Sequence, residues 1–92
     1  MKILVVDDDR EIVQLLEIYI SNEGYEPVTA FDGKEALSKL NTDHEIGLII
    51  IDLMMPEMDG MEVIKQVRKD SSVPILVLSA KTADMDKIHG LV

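Results

Sequence analysis

Acidic and hydroxyl side chains follow three apolar runs in this chain. Ile3-Leu4-Val5-Val6 precedes Asp7-Asp8-Asp9, Leu48-Ile49-Ile50-Ile51 precedes Asp52, and Ile75-Leu76-Val77-Leu78 precedes Ser79. Unbroken aliphatic runs of this length fit strands covered on both faces, as in a parallel sheet. If all three strands point the same way, their polar successors gather at the carboxyl edge, where open α/β sheets place ligands. Two unit charges ~4 Å apart repel by roughly 4 kcal/mol at an effective dielectric of 20. A cluster of Asp7, Asp8 and Asp52 therefore needs either a retained proton or a cation. An all-oxygen donor set favours a hard divalent ion, Mg²⁺ before Ca²⁺. Such a site leaves room for a phosphate oxygen, and transfer of a phosphoryl group to a carboxylate is the chemistry it suits. The Ser79 hydroxyl and backbone N–H groups at helix starts can receive phosphoryl oxygens.

The elements between these runs position them. Residues 3–6 read as a strand, and a helix from Arg10 to Asn22 carries Ile12, Leu15, Leu16 and Tyr19 at helical spacing, widened by Val13 and Ile20. Gly24 fits a left-handed helix end. Glu26 to Ala30 is a weaker strand, and Pro27 suits an edge position. Asp32 and Glu35 form a capping-box pattern before a helix through Ala36, Leu37 and Leu40. A polar loop spans 41–47, strand 48–51 follows, and Asp59 with Glu62 repeats the capping pattern before a helix through Val63, Ile64 and Val67. After strand 75–78, Thr82 can cap a last helix containing Met85 and Ile88. Strands alternating with helices predict parallel pairing through right-handed crossovers. Nothing in this pattern covers the far edge of strand 75–78, which predicts self-association through that edge.

With 92 residues the chain makes a single domain, and 47% hydrophobic residues suffice for a modest core. A net charge of −9 argues against direct nucleic-acid binding and against an anionic membrane surface. Cysteine is absent, so thiolate metal sites and disulfides are excluded. No apolar stretch reads as a signal peptide or a membrane span, so a cytoplasmic location is the default.

The start of the chain, the block Ile51-Asp52-Leu53-Met54-Met55-Pro56-Glu57-Met58-Asp59-Gly60 and the block Pro74-Ile75-Leu76-Val77-Leu78-Ser79-Ala80-Lys81 together resemble the receiver domain of two-component response regulators. The resemblance runs in register over essentially all 92 residues. It implies a flavodoxin-like, three-layer doubly wound α/β fold with strand order 2-1-3-4. It further implies that Asp52 accepts a phosphoryl group from a sensor histidine kinase. Asp8 would then be a direct Mg²⁺ ligand, Asp7 would act through water, and Asp52 with the Met54 backbone carbonyl would complete the protein ligands. Ser79 and the small Ala80 match the phosphoryl-sensing pair, while Pro56 and Gly60 shape the loop into the next helix. The wording around residues 79–88 is most similar to regulators whose receiver precedes a winged-helix DNA-binding domain. Two departures accompany the resemblance. Receivers carry a Lys after a fifth strand and an aromatic switch residue on it, and this chain stops before either. Lys81 occupies a position that the family leaves variable. Residues 1–92 are thus expected to be a C-terminally incomplete receiver with a weakened response.

Plainer readings compete at each position. Any one of Asp7 to Asp9 could merely cap the first helix, and the expectation is two functional residues and one cap. Asp52 and Ser79 could be strand-end turn residues. Met54, Met55, Met58 and Met61 are expected in packing, because thioethers do not suit hard ions. As a switch, the domain would assist its own phosphorylation and hydrolysis without being an enzyme on a separate substrate. A folded interaction module is the alternative. A Mg²⁺-dependent aspartyl phosphohydrolase ranks lower, since Met54 stands where its general-acid Asp would be. A flavin-binding domain would need a hydroxyl-rich loop where this chain has three Asp.

Overall fold

A computed structural model describes residues 1–53, 55 and 60–78, and the backbone of 88–91. In chain order the elements are β1 (Lys2–Val6), α1 (Arg10–Asn22), β2 (Glu26–Ala30), α2 (Gly33–Thr42), β3 (Ile46–Asp52), α3 (Gly60–Asp70), β4 (Ile75–Leu78) and β5 (Ile88–Leu91). The first four strands pair in parallel in the order β2-β1-β3-β4, as expected. β2, which carries Pro27, is the outer strand on its side, where a missing N–H costs least.

Each central strand is apolar on both sides because each side meets a different layer. Leu4 and Val6 of β1 join Ile49, Ile51, Ile75, Val77, Ala36, Val63, Ile64 and Val67 in the core under α2 and α3. Ile3, Val5 and Ile50 face the other way, onto Val13 and Ile20 of α1. Met55 joins the larger core, whereas Met61 is exposed. The apolar arc of α1 is wider than one helix–sheet contact can bury. The helix is rotated so that Val13 and Ile20 are covered and Leu16 half-covered, and Leu15 and Tyr19 remain 52% and 60% exposed. The stripe expected from spacing alone is thus displaced toward Val13 and Ile20.

Local signals set the element ends. Asp9 caps α1 by accepting from Glu11 N and Ile12 N. Gly24 takes φ +89° after that helix, a backbone region that favours glycine. Asp32 accepts from Glu35 N at 2.8 Å, and Glu35 Oε1 accepts in return from Phe31 N at 2.9 Å. β3 begins at Ile46, inside the loop expected over 41–47. Lys2 pairs with Ile46 and Ile3 with Leu48, so Gly47 is the extra residue of a bulge. At this amino edge Lys2 Nζ meets Asp43 Oδ2 at 2.7 Å and Glu45 Oε1 at 3.4 Å, pinning the start of β1 to the approach of β3.

The far edge corrects two expectations. Ile88 lies in β5, not in a helix, and β5 pairs antiparallel with β4 through Leu76↔Leu91, Val77↔Gly90 and Leu78↔Ile88. The edge of strand 75–78 is therefore paired within the chain, and self-association through it is not needed. An antiparallel return satisfies the outer β4 backbone without the crossover that a parallel strand requires. Thr82 and Met85 lie outside the described residues.

Removal of residues 88–92 is expected to unpair β4 and promote association. Light scattering of the shortened and intact chains over a concentration series checks this, and equal association of the two would refute the pairing role of β5.

Candidate functional site

The sheet register brings the acidic residues together. Ala30, Val6 and Ile51 form one row across β2, β1 and β3, so Phe31, Asp7 and Asp52 each stand one residue past it. Asp7 N donates to Ala30 O at 3.2 Å, which carries the β1–β2 ladder one step beyond the strand. Strand side chains alternate, and Val5 and Ile50 face α1. Asp7 and Asp52, two residues further on, face the same way. Phe31 packs on that face too, as does Leu78, the registered partner of Asp52. The two carboxylates thus sit mid-row between an aromatic and an aliphatic side chain.

Asp8 completes the group. One carboxylate oxygen from each of Asp7, Asp8 and Asp52 lies within 4.8 Å of the others. Asp7 and Asp52 are buried, at 1% and 3% exposure, and Asp8 is partly exposed. Asp9, the third acid of the run, turns outward to cap α1, and its N–H donates to Asp7 Oδ1 at 2.9 Å. That bond couples the cap to the cluster: the helix start fixes Asp9, and Asp9 orients Asp7.

Burial pushes the Asp7 carboxyl up to about 6, the Asp9 N–H opposes the shift, and the charges of Asp52 and Asp8 add to it. A carboxyl in this position is short of positive charge. Three carboxylates at mutual ligand distance, with no nitrogen or sulfur donor in the group, fit a hard dication that keeps some of its water.

Gly60 determines how closely the next helix approaches. Its N–H donates to Leu53 O at 3.1 Å, and a Cβ there would run into Asp52 O and come within 2.7 Å of Leu53 Cα. Any side chain would push α3 away from the end of β3. Met54, Pro56, Asp59, Ser79, Ala80 and Lys81 lie outside the described residues.

One neighbouring pair escapes sequence reading. Arg10, the first residue of α1, places its guanidinium carbon 4.3 Å from the Phe31 ring centroid. The available signal is a basic residue directly after three acids, at a helix position where the dipole disfavours it.

Comparison with known proteins bears on the whole constellation. A profile described as the response regulator receiver domain matches residues 3–92. The chain is 48% identical over 91 residues to the alkaline phosphatase synthesis transcriptional regulatory protein PhoP of Bacillus subtilis, covering 98% of this chain and 38% of that protein. The structure of the chemotaxis protein CheY4 of Vibrio cholerae is similar with a TM-score of 0.81 and 41% identity, over 89% of this chain and 70% of that one. The response regulator TrrA of Thermotoga maritima, solved in complex with Mg(2+)-BeF, matches with a TM-score of 0.77 and 36% identity, over 89% and 70% of the two chains. The chain spans about two fifths of the length of the curated relatives it matches.

Two consequences can be measured on metal-free protein. The folded-state value of Asp7 lies above its ordinary value of 3.8, so the folded state holds the proton more tightly. Stability therefore falls as pH rises from about 4 through about 6, by about 3 kcal/mol in all. Urea unfolding across that window is expected to show this slope in the native chain and to lose it in Asp7→Asn. Asp52→Asn removes a repelling charge and should raise stability at neutral pH. Separately, Gly60→Ala is expected to cost about 1–3 kcal/mol by overpacking, read by urea unfolding. An Ala variant as stable as the parent would mean that α3 has room to spare.

Proposed function

The chain belongs to the response regulator receiver domain family, and from that premise we propose that it is a phosphorylation-controlled switch with Asp52 as phosphoacceptor. The observation carrying this reading is the convergence of Asp7, Asp8 and Asp52 within 4.8 Å at the carboxyl edge. Asp7, Asp8 and Asp52 would hold Mg²⁺, with the Met54 carbonyl as a further ligand. When bound, the ion supplies positive charge that tolerates both the crowded carboxylates and an incoming phosphoryl group. The Mg(2+)-BeF complex of TrrA supports this reading by analogy.

The chemistry is a direct displacement at phosphorus. An Asp52 carboxylate oxygen attacks, the P–N bond of a phosphohistidine breaks, and the leaving nitrogen keeps the electron pair and takes up a proton. Asp52 is suited to attack because its partners in the row are fixed. Its own strand is held by β1 and β4, and α3 closes on its carbonyl at Gly60. Ser79 and Ala80 would sense the new phosphoryl oxygens. Added charge at a buried position then biases a two-state surface.

The donor would be a sensor histidine kinase, charged from ATP, which assigns the exchange to the cytoplasm. Curated relatives are named as transcriptional regulatory proteins, and the matched region is 38–39% of their length. In a longer protein the domain would accordingly control a DNA-binding output domain. It acts as a stoichiometric acceptor, without turnover of a separate substrate.

Incubation with Mg²⁺ and phosphoramidate is expected to add one phosphoryl group, read by intact mass. Asp52→Asn should abolish the modification, and chelation of Mg²⁺ should slow it by roughly a hundredfold. Modification that persists in Asp52→Asn would sink the assignment.

A further inference from the structure

Arg10 stands in an environment that should neutralise it and does not. Asp7, Asp8 and Asp9 precede it and Glu11 follows, yet among the described residues it makes no ion pair. Its guanidinium is placed over the Phe31 ring instead. A guanidinium over an aromatic face keeps its in-plane N–H donors available to an anion. The platform is held in place in turn, since Phe31 N donates to Glu35 and its ring packs on the α1-side core. Helix polarity adds to the oddity, because a cation at the first position of α1 opposes the dipole.

The row geometry says what this cation faces. Phe31 is two strands from Asp52, and neighbouring strands are about 4.8 Å apart, so the Phe31 backbone lies roughly 10 Å from that of Asp52 and the stack flanks the same edge. A mouth built from Asp7, Asp8 and Asp52, with Asp9 and Glu11 nearby at the start of α1, repels an anion. Among the described basic residues, only Arg10 and Lys34 lie in the first turn of helices that start at this edge. Lys2 is at the amino edge, Lys39 is in the last turn of α2, and Lys65, Arg68 and Lys69 lie further along α3.

We propose that Arg10, held on Phe31, is a specificity residue that recruits the dianionic phosphoryl group of the donor to this acidic mouth. The proposal rests on the reading of Asp52 as phosphoacceptor. Its signature is a pair of effects with opposite sign. A cation near the cluster favours the anionic donor and disfavours Mg²⁺. A purely structural role for Arg10 would weaken both together.

The test uses the full chain with phosphoramidate as donor and, independently, Mg²⁺ titration by calorimetry without donor. Arg10→Gln is expected to raise the phosphoramidate concentration that half-saturates the single-turnover phosphorylation rate, here its KM, three- to tenfold, by roughly the interaction of two charges ~10 Å apart, with the saturating rate constant within about twofold. It should also tighten Mg²⁺ binding by a similar three- to tenfold, because the dication and the phosphoryl dianion carry charges of equal magnitude. Arg10→Lys should restore most of both, Phe31→Leu should reproduce part of the KM rise, and Lys34→Gln should do less than Arg10→Gln. The KM difference should shrink as ionic strength rises. An unchanged KM overturns the proposal, as does a loss of donor and Mg²⁺ affinity together, or an equal effect of Lys34→Gln. A native chain that takes no phosphoryl group at all overturns the parent reading and this inference with it. A native chain that is modified normally while Arg10→Gln behaves identically overturns this inference alone.

Discussion

Carboxylates held against one another in a nearly dry row are the constraint on which the structure turns. Asp7 and Asp52 are almost fully buried, between Phe31 and Leu78, with Asp8 closing the group. Water would ordinarily screen such charges, and here it is largely excluded. The consequence is a folded state in which burial first, and the neighbouring charges of Asp52 and Asp8 after it, raise the Asp7 carboxyl when metal-free. That penalty can be relieved by a proton, by a dication or by removal of one acid. A ligand that relieves strain at one point shifts the energy of everything packed around it.

The rest of the fold bears the cost of holding the row. Parallel pairing of β1 with both β2 and β3 sets the register, and the two apolar faces lock that register because a one-residue slip would turn every side chain over. Backbone hydrogen bonds then finish the site. Asp9 is tied to the start of α1 and to Asp7, so the acid loop has little freedom. Gly60 lets α3 seat directly on the carbonyl of Asp52. Asp52 is thereby fixed through its backbone.

Much of this was legible in the amino-acid order. The Asp32–Glu35 cap, the left-handed Gly24 and the edge position of Pro27 follow from local patterns, because each depends on neighbours within a few residues, whereas the β2-β1-β3-β4 order was implied by the family resemblance. Less legible were features set by fit. The face of α1 that is buried runs through Val13 and Ile20, since an apolar arc too wide for one contact leaves the choice to the shape of the sheet. β3 starts early because Gly47 can bulge against Lys2, and Ile88 pairs as a strand because β4 offers an unfilled backbone edge. The Arg10–Phe31 stack joins residues 21 positions apart, and no periodicity announces it.

By itself, the sequence determined which side chains end each strand, and therefore which chemistry the carboxyl edge can host. It also divided the run Asp7-Asp8-Asp9 into more acids than a single cap requires. Only the tertiary structure decided that Asp9 is the cap, that Asp7 is buried and that Asp52 stands in its row. The physical reason is range. Residue type and spacing fix backbone preference over a turn or two, whereas burial and charge–charge distance exist only after strands from separate parts of the chain have paired.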